Sequence, residues 1–281
     1  MAAVDLTPGE ALVLLEPNKR QGRETIKVSL MWLLAKRCLT ARLEDKPGFM
    51  GRFFTKTTRL HPSDRLPADL SSEMNDLMQL VRRTGYMDDF VKAAHIQYGN
   101  DLAGFRIRHL VPSLLKRRLI EARTEPFLMV FSRTRYYRTR SGDALRQQIE
   151  ALFTHAREIP GYLDNSPAQA AAVAATLGSL IFLVPELRPH FTEIAQTMRR
   201  PVGADASMSV GDTSSGSAPR HNEPALLENT MALDFTCFDA GAFAAFDAGM
   251  TALDVGFDAA ASSGGDGGCG GDGGGGGGGG D

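Results

Sequence analysis

Cysteine is scarce in this chain. The three present, Cys38, Cys237 and Cys269, are odd in number and widely spaced, which argues against a disulfide framework or a zinc cluster and fits a reducing, cytosolic compartment. Cys38 follows Lys36 and Arg37, which would favour a thiolate, but its place between an apolar helix and a strand marks it as buried and structural. Catalytic signatures are missing too: there is no Walker loop, nucleophile elbow or HExxH pair, and the six histidines are scattered. Neither an enzyme nor a cofactor is expected. Residues 1–10 lack the charged and apolar regions of a secretory signal, so export by that route is not expected. The uncharged stretch at 170–184, AAAVAATLGSLIFLV, falls short of the roughly 20 apolar residues of a membrane span and reads as a buried core helix.

What the chain has is charge, unevenly placed. Residues 1–200 carry 30 Lys and Arg against 21 Asp and Glu, whereas residues 201–281 carry 1 against 12. The near-neutral total of −2 therefore hides a basic body and an acidic tail. A basic body attracts anionic partners (lipid headgroups, nucleic acid, an acidic protein) over about 10 Å at ordinary salt. The tail could equally fold back onto the body as an electrostatic shield.

The pattern predicts a mainly α fold: a helical domain over residues 1–200 with a small β-hairpin element, then a disordered tail over 201–281 rich in Gly, Ala and Asp. Thr7, Pro8 and Glu10 supply an N-cap, a first-turn proline and a capping-box partner for a short helix ending before Pro17. After the polar loop 18–23, the run 30–35 is too continuously apolar for a surface helix. Alternation at 38–43 and 53–58 predicts a β-pair, and helical spacing predicts helices over 72–81 and 88–98. A helix over 102–118 would turn Phe105, Leu110 and Leu114 inward and leave Arg106 and Arg108 in solvent, with a kink or fresh start at Pro112. Short strands follow at 119–122, 127–131 and 136–139, the last two forming a hairpin across 132–135. Ser141 is the expected cap of the next helix, Ser166-Pro167 opens the alanine-rich one, and Phe191, Ile194 and Met198 mark a last amphipathic segment. In the tail, Phe238-Asp239, Phe246-Asp247 and Phe257-Asp258 form a degenerate repeat that reads either as a docking motif or as low-complexity drift.

The hairpin holds the densest cluster of chemistry. Arg133, Arg135, Arg138 and Arg140 interleave with Tyr136 and Tyr137, offering forked donors for phosphate and aromatic rings suited to a membrane interface. On an unbroken strand Arg133 and Arg135 share one face, Arg138 and Arg140 the other.

The order of LTPGEALVLL at 6–15, LLAKRCLTARLE at 33–44 and LVPSLLKRRLIEA at 110–122, followed by a hairpin and two long helices, resembles the Golgi phosphoprotein 3 family and its bacterial relatives. That family's patterns are LT-x-x-E-x-LLL, x-LA-x-RG-x-L-x-L and L-x-x-L-x-x-(K/R)-G-(L/V)-(L/I). The resemblance spans about residues 6–198. It implies a mainly helical peripheral membrane adaptor that binds a phosphoinositide-type headgroup in a basic pocket, self-associates through a hairpin and carries a protein client. Arg106 and Arg108 lie near the family's paired arginines, and Arg23 or Lys27 near a third. Trp32 stands in the second helix rather than in the loop, and Arg37 replaces the usual glycine.

The resulting expectation is a cytoplasmic, peripherally membrane-associated protein. It would hold an anionic phospholipid surface through Arg23, Lys27, Arg106 and Arg108, and a membrane or partner through Arg133, Arg135, Tyr136, Tyr137, Arg138 and Arg140. A second reading is a winged-helix DNA-binding protein, with 102–118 as recognition helix and the hairpin as wing; Pro112 inside that helix weighs against it.

Overall fold

A computed structural model of the chain describes residues 6–19, 22–47, 54–64, 66–67, 70–127 and 131–199. The expectations for 201–281 lie outside the described residues. Those described form a mainly α fold with two small antiparallel hairpins.

Helix α1 (Pro8–Leu15) begins as its sequence predicts. Thr7 Oγ1 accepts from the Glu10 amide at 3.3 Å and Glu10 Oε2 accepts from the Thr7 amide at 3.0 Å, so two donors that the first turn cannot pair are satisfied reciprocally. Helix α2 (Arg23–Ala35) is the centre of the body: every residue from Thr25 to Ala35 is buried, and α1, α3 and the first hairpin pack around it. In that hairpin β1 (Leu39–Pro47) pairs with β2 (Phe54–Pro62) from Leu39↔Pro62 to Pro47↔Phe54. Its base enters the core through Leu39, Ala41 and Leu60, while Leu43 and Phe54 are exposed. Helices α3 (Ser72–Thr84) and α4 (Met87–Tyr98) follow the predicted spacing, with Met74, Leu77, Val81, Phe90 and Ala94 all buried.

The next helical stretch departs from expectation in an informative way. It runs as a turn α5 (Ala103–Phe105), a π-helical turn Arg106–Leu110 and then α6 (Val111–Lys116). Pro112 has no amide to give the Arg108 carbonyl and its ring crowds that group; the widened π turn just before it relieves the conflict, so the helix neither breaks nor starts afresh. The Val111 amide accordingly donates to the Arg106 carbonyl, five residues back. Phe105 and Leu110, also five apart, both become fully buried, and Arg106 turns inward to 4% exposure instead of standing in solvent.

The second hairpin pairs β3 (Ile120–Phe127) with β4 (Phe131–Arg138), from Ile120↔Arg138 to Phe127↔Phe131. Residues 132–135 thus lie within β4 and do not form the turn. The strand ends at Arg138, and Arg140 opens helix α7 (Arg140–Ala156), so Arg138 and Arg140 do not share a strand face. The cap of α7 is Thr139, whose hydroxyl accepts from the Gly142 amide at 3.2 Å, rather than Ser141. Gly142 is required by space: a Cβ there would stand 2.0 Å from the Leu119 carbonyl oxygen.

Helix α8 (Ile159–Asn165), which the sequence did not signal, precedes α9 (Pro167–Leu177). The uncharged stretch 170–184 is not one buried helix. Gly178 (φ 52°) ends α9, a 3₁₀ segment Gly178–Leu183 follows, and α9 itself buries one face through Ala170, Ala174 and Leu177 while Ala172 and Ala175 are exposed. A second 3₁₀ segment, Pro185–His190, leads to α10 (Phe191–Arg199), with Phe191 and Ile194 buried. Among the described residues no single helix is long and apolar enough to cross a membrane.

Candidate functional site

Three segments distant in sequence meet at a cleft of about 490 Å³. Pro17, Asn18 and Lys19 come from the end of α1, Asp101, Ala103, Arg106, Ile107 and Val111 from the π-containing helix, and Ser132, Arg133, Thr134 and Tyr136 from β4. The walls are brought together by backbone contacts. Gly22 donates its amide to the Asp101 carbonyl at 2.9 Å, and a Cβ on it would sit 1.9 Å from the Leu102 carbonyl oxygen, so only glycine permits this approach. On the opposite wall the Asn18 carboxamide brackets Tyr136: Nδ2 donates to its carbonyl at 2.8 Å and Oδ1 accepts from its amide at 2.9 Å. Asn18 thereby stands in for a neighbouring strand along the free edge of β4.

Arg106 forms the back of the cleft. Its guanidinium donates to the Glu16 carbonyl at 2.6 Å and to the Lys19 carbonyl. Arg138 donates to the Leu14 and Leu15 carbonyls at 3.3 and 3.1 Å, and to Asp143 Oδ1 at 2.9 Å. Two arginines from different elements therefore satisfy carbonyls that the C-terminus of α1 leaves without intrahelical partners, and their charge suits the negative end of the helix dipole. Burial pushes the Arg106 guanidinium below the ordinary arginine value, with the Glu16 charge acting the other way; arginine starts so high that it stays cationic.

The other two cations of the lining are exposed Lys19 and half-buried Arg133. Lys19 is paired with Glu16 at 2.7 Å, both about half exposed, a contact that water and salt weaken. Arg133 makes no ion pair among the described residues; Glu125, opposite it in the ladder, is engaged by Arg135 at 3.4 Å and by the Tyr137 hydroxyl. Asp101, the one acid in the lining, has Oδ1 occupied by the Ala103 amide at 3.0 Å. Ile107, 55% exposed, adds apolar surface to a lining that also holds Tyr136 and buried Val111, and Phe131 at the hairpin end is 67% exposed.

Of the residues singled out from sequence, Arg106, Arg133 and Tyr136 meet in the cleft. The others do not. Lys27 is buried in α2, with Nζ 3.1 Å from Glu24, and half-buried Arg23 opens the same helix without lining the cleft. Arg108 is exposed on another face, where its charge acts on Tyr98, whose hydroxyl donates to Asp76 at 2.6 Å. Arg135 and Tyr137 share a strand face with Arg133 but lie outside the cleft lining, with Arg123 lying 5.0 Å over the Tyr137 ring. Sequence reasoning did not single out Lys19 and Asn18 within the polar loop, nor Ile107 and Ser132. The basic character of that loop was the only local signal.

An open cleft with cations on two walls, an arginine at its back and apolar patches at its mouth suits an anionic group attached to an apolar body. No protein family, curated protein or solved structure matches the chain.

Proposed function

We propose that this protein is a peripheral membrane protein whose cleft receives the headgroup of an anionic phospholipid, with Lys19 and Arg133 as the contacting cations and Phe131 at the apolar hairpin end entering the interface. The observation that carries this reading is the convergence of Lys19, Arg106 and Arg133, from three separate parts of the chain, on one cleft that adjoins an exposed apolar strand end. Arg106 acts as a positioning residue: it fixes the loop that presents Lys19. Each basic residue near an anionic surface contributes about 1 kcal/mol, so Lys19 and the hairpin arginines suffice for reversible attachment.

Further support comes from two backbone details. Arg37 (φ 54°) and Arg118 (φ 57°) are left-handed, and each stands at a helix-to-strand junction where the Golgi phosphoprotein 3 pattern has glycine. The adaptor role, the phosphoinositide class of headgroup, a protein client and self-association through the β3–β4 hairpin belong to the same proposal.

The test is co-sedimentation of the full chain with liposomes, with and without anionic phospholipid, at low and high salt and in competition with duplex DNA. Selective retention on anionic liposomes, released by salt and weakened about tenfold or more by Lys19→Glu with Arg133→Glu, is the expected result. Binding to DNA and not to liposomes would move the conclusion to the winged-helix reading.

A further inference from the structure

We infer that the cleft has an occupant within its own chain: the Phe-Asp repeats of the acidic C-terminal segment dock into it in cis and mask it. Charge is the first argument. Residues 201–281 carry 12 acidic residues and one basic, against an excess of nine positive charges in residues 1–200. Such opposite blocks attract each other and fix which surface is met.

Chemistry of the lining is the second. Each of Phe238-Asp239, Phe246-Asp247 and Phe257-Asp258 offers an aromatic ring beside a carboxylate, followed by alanine and then glycine or alanine, small residues that let the backbone come close. The cleft offers the complement: exposed Ile107, in a lining shared with Val111 and Tyr136, for the ring, and Lys19 and Arg133 for the carboxylate. A second groove among the described residues does not. It measures about 600 Å³ between α1, α2, α7 and the 3₁₀ segments, and its rim balances Glu16, Glu24 and Glu150 against Lys19, Arg157 and Arg188, with Arg188 already 3.5 Å from Glu24. An acidic segment gains no net attraction there.

Reach is the third. Thirty-eight residues separate Arg199 from Phe238. A flexible chain of that length would span about 35 Å on average, about twice the radius of gyration of roughly 17 Å expected for a 200-residue body. Tethering at that length supplies an effective concentration in the millimolar range, and three repeats raise the chance that one is seated. A docked segment would hold the cleft against anionic surfaces until lipid competes it away.

The masking rests on the lipid-binding reading above; the docking does not, and the experiment separates them. In the full chain, a photo-crosslinking phenylalanine analogue replaces Ile107, and crosslinks are mapped without lipid. The expected result is an intramolecular crosslink to residues 236–260, lost when Phe238, Phe246 and Phe257 are changed to Ala and in high salt. Crosslinks confined to residues 6–199, or to the tail of a second copy, would overturn docking in cis. The same full-length triple variant, with Asp239→Asn, Asp247→Asn and Asp258→Asn added, is then compared with the parent on anionic liposomes. At least about threefold tighter binding, as when two-thirds of the parent is docked, supports masking. Unchanged binding overturns masking. Absence of liposome binding by both, with the crosslink present, leaves docking standing and removes the lipid reading alone.

Discussion

The two hairpins enter in the same way and end in different situations. Each follows a helix that closes on a left-handed arginine with the same pair of backbone bonds: Arg37 N to Leu34 O and Cys38 N to Leu33 O in the first, Arg118 N to Leu115 O and Leu119 N to Leu114 O in the second. From there β1–β2 lies against α3 and α4, and its half-buried charges are paired. Lys46 reaches Asp88 and Asp89 at 2.6 and 2.7 Å, Glu44 accepts from Arg59 and lies 2.8 Å from His61, and Tyr86 sits between Lys46 and Arg59. In β3–β4, Ile120 at the base is buried, Asn18 holds one edge, Phe131 is exposed and Arg133 is half-buried. The same device leads into a hairpin packed on two helices in one case and into one that borders the cleft in the other. Both end in an exposed phenylalanine, Phe54 and Phe131 at 67% each, and both carry ion pairs, so what separates them is the helical cover of α3 and α4 on β2 and the cleft along β4.

The largest contrast is expected from burial. Leu60→Ala, at a side chain 1% exposed in the first hairpin, costs about 2–5 kcal/mol, whereas Phe131→Ala in the second changes stability by about 0.5 kcal/mol or less and weakens liposome binding. Chemical denaturation of both variants checks this, and equal losses would erase the distinction. Next is the divided role of the hairpin arginines. Arg138→Ala removes donors from the α1 carbonyls and from Asp143 and should cost about 1.5–3 kcal/mol, whereas Arg135→Ala, in a half-exposed pair with Glu125, should cost under about 1 kcal/mol.

A smaller effect tests the shared entry. Arg37→Gly and Arg118→Gly relieve left-handed strain and should each raise stability by about 0.5–1 kcal/mol, the gain being reduced by the greater chain entropy of glycine. A loss at one junction alone would show that its arginine side chain, and not its backbone angle, governs that turn. The smallest effect is a pH response confined to the first hairpin. The hydrogen bond from His61, then that from Arg59, holds the Glu44 carboxyl below its ordinary value of 4.5. Its contribution is therefore present above that pH and lost as the pH falls through the lowered value. Thermal melts of Glu44→Gln should show a flatter acid limb than the parent, and coincident limbs would argue that the contact has no net effect.

Elements whose signals are local were legible from sequence. The α1 capping box, the spacing of α3 and α4 and the β1–β2 pair all follow from residues within a turn or two of one another. The second hairpin was misplaced because its apolar end at 127–131 reads as strand while the polar run 132–135 reads as turn, the reverse of the usual order. Thr139 was overlooked as a cap because Ser141 lies nearer the apolar pattern of α7. Half of the cleft was illegible for a deeper reason: the Asn18 bracket joins residues 118 apart, and the burial of Arg106 depends on a backbone widening that helical periodicity does not contain.

The π turn acts as a phase shifter. A regular helix advances about 100° per residue, and the extra residue held in the turn offsets everything before it by about that angle relative to α6. Arg106 faces the α1 carbonyls and Ile107 faces the cleft mouth because of that offset, so their division of labour is written in the winding of the backbone and not in the side chains alone. Deleting one residue within 106–110 would rewind the segment and move a different side chain into the position Arg106 now holds. A conservative exchange of arginine for lysine would keep the angle and lose only the fork.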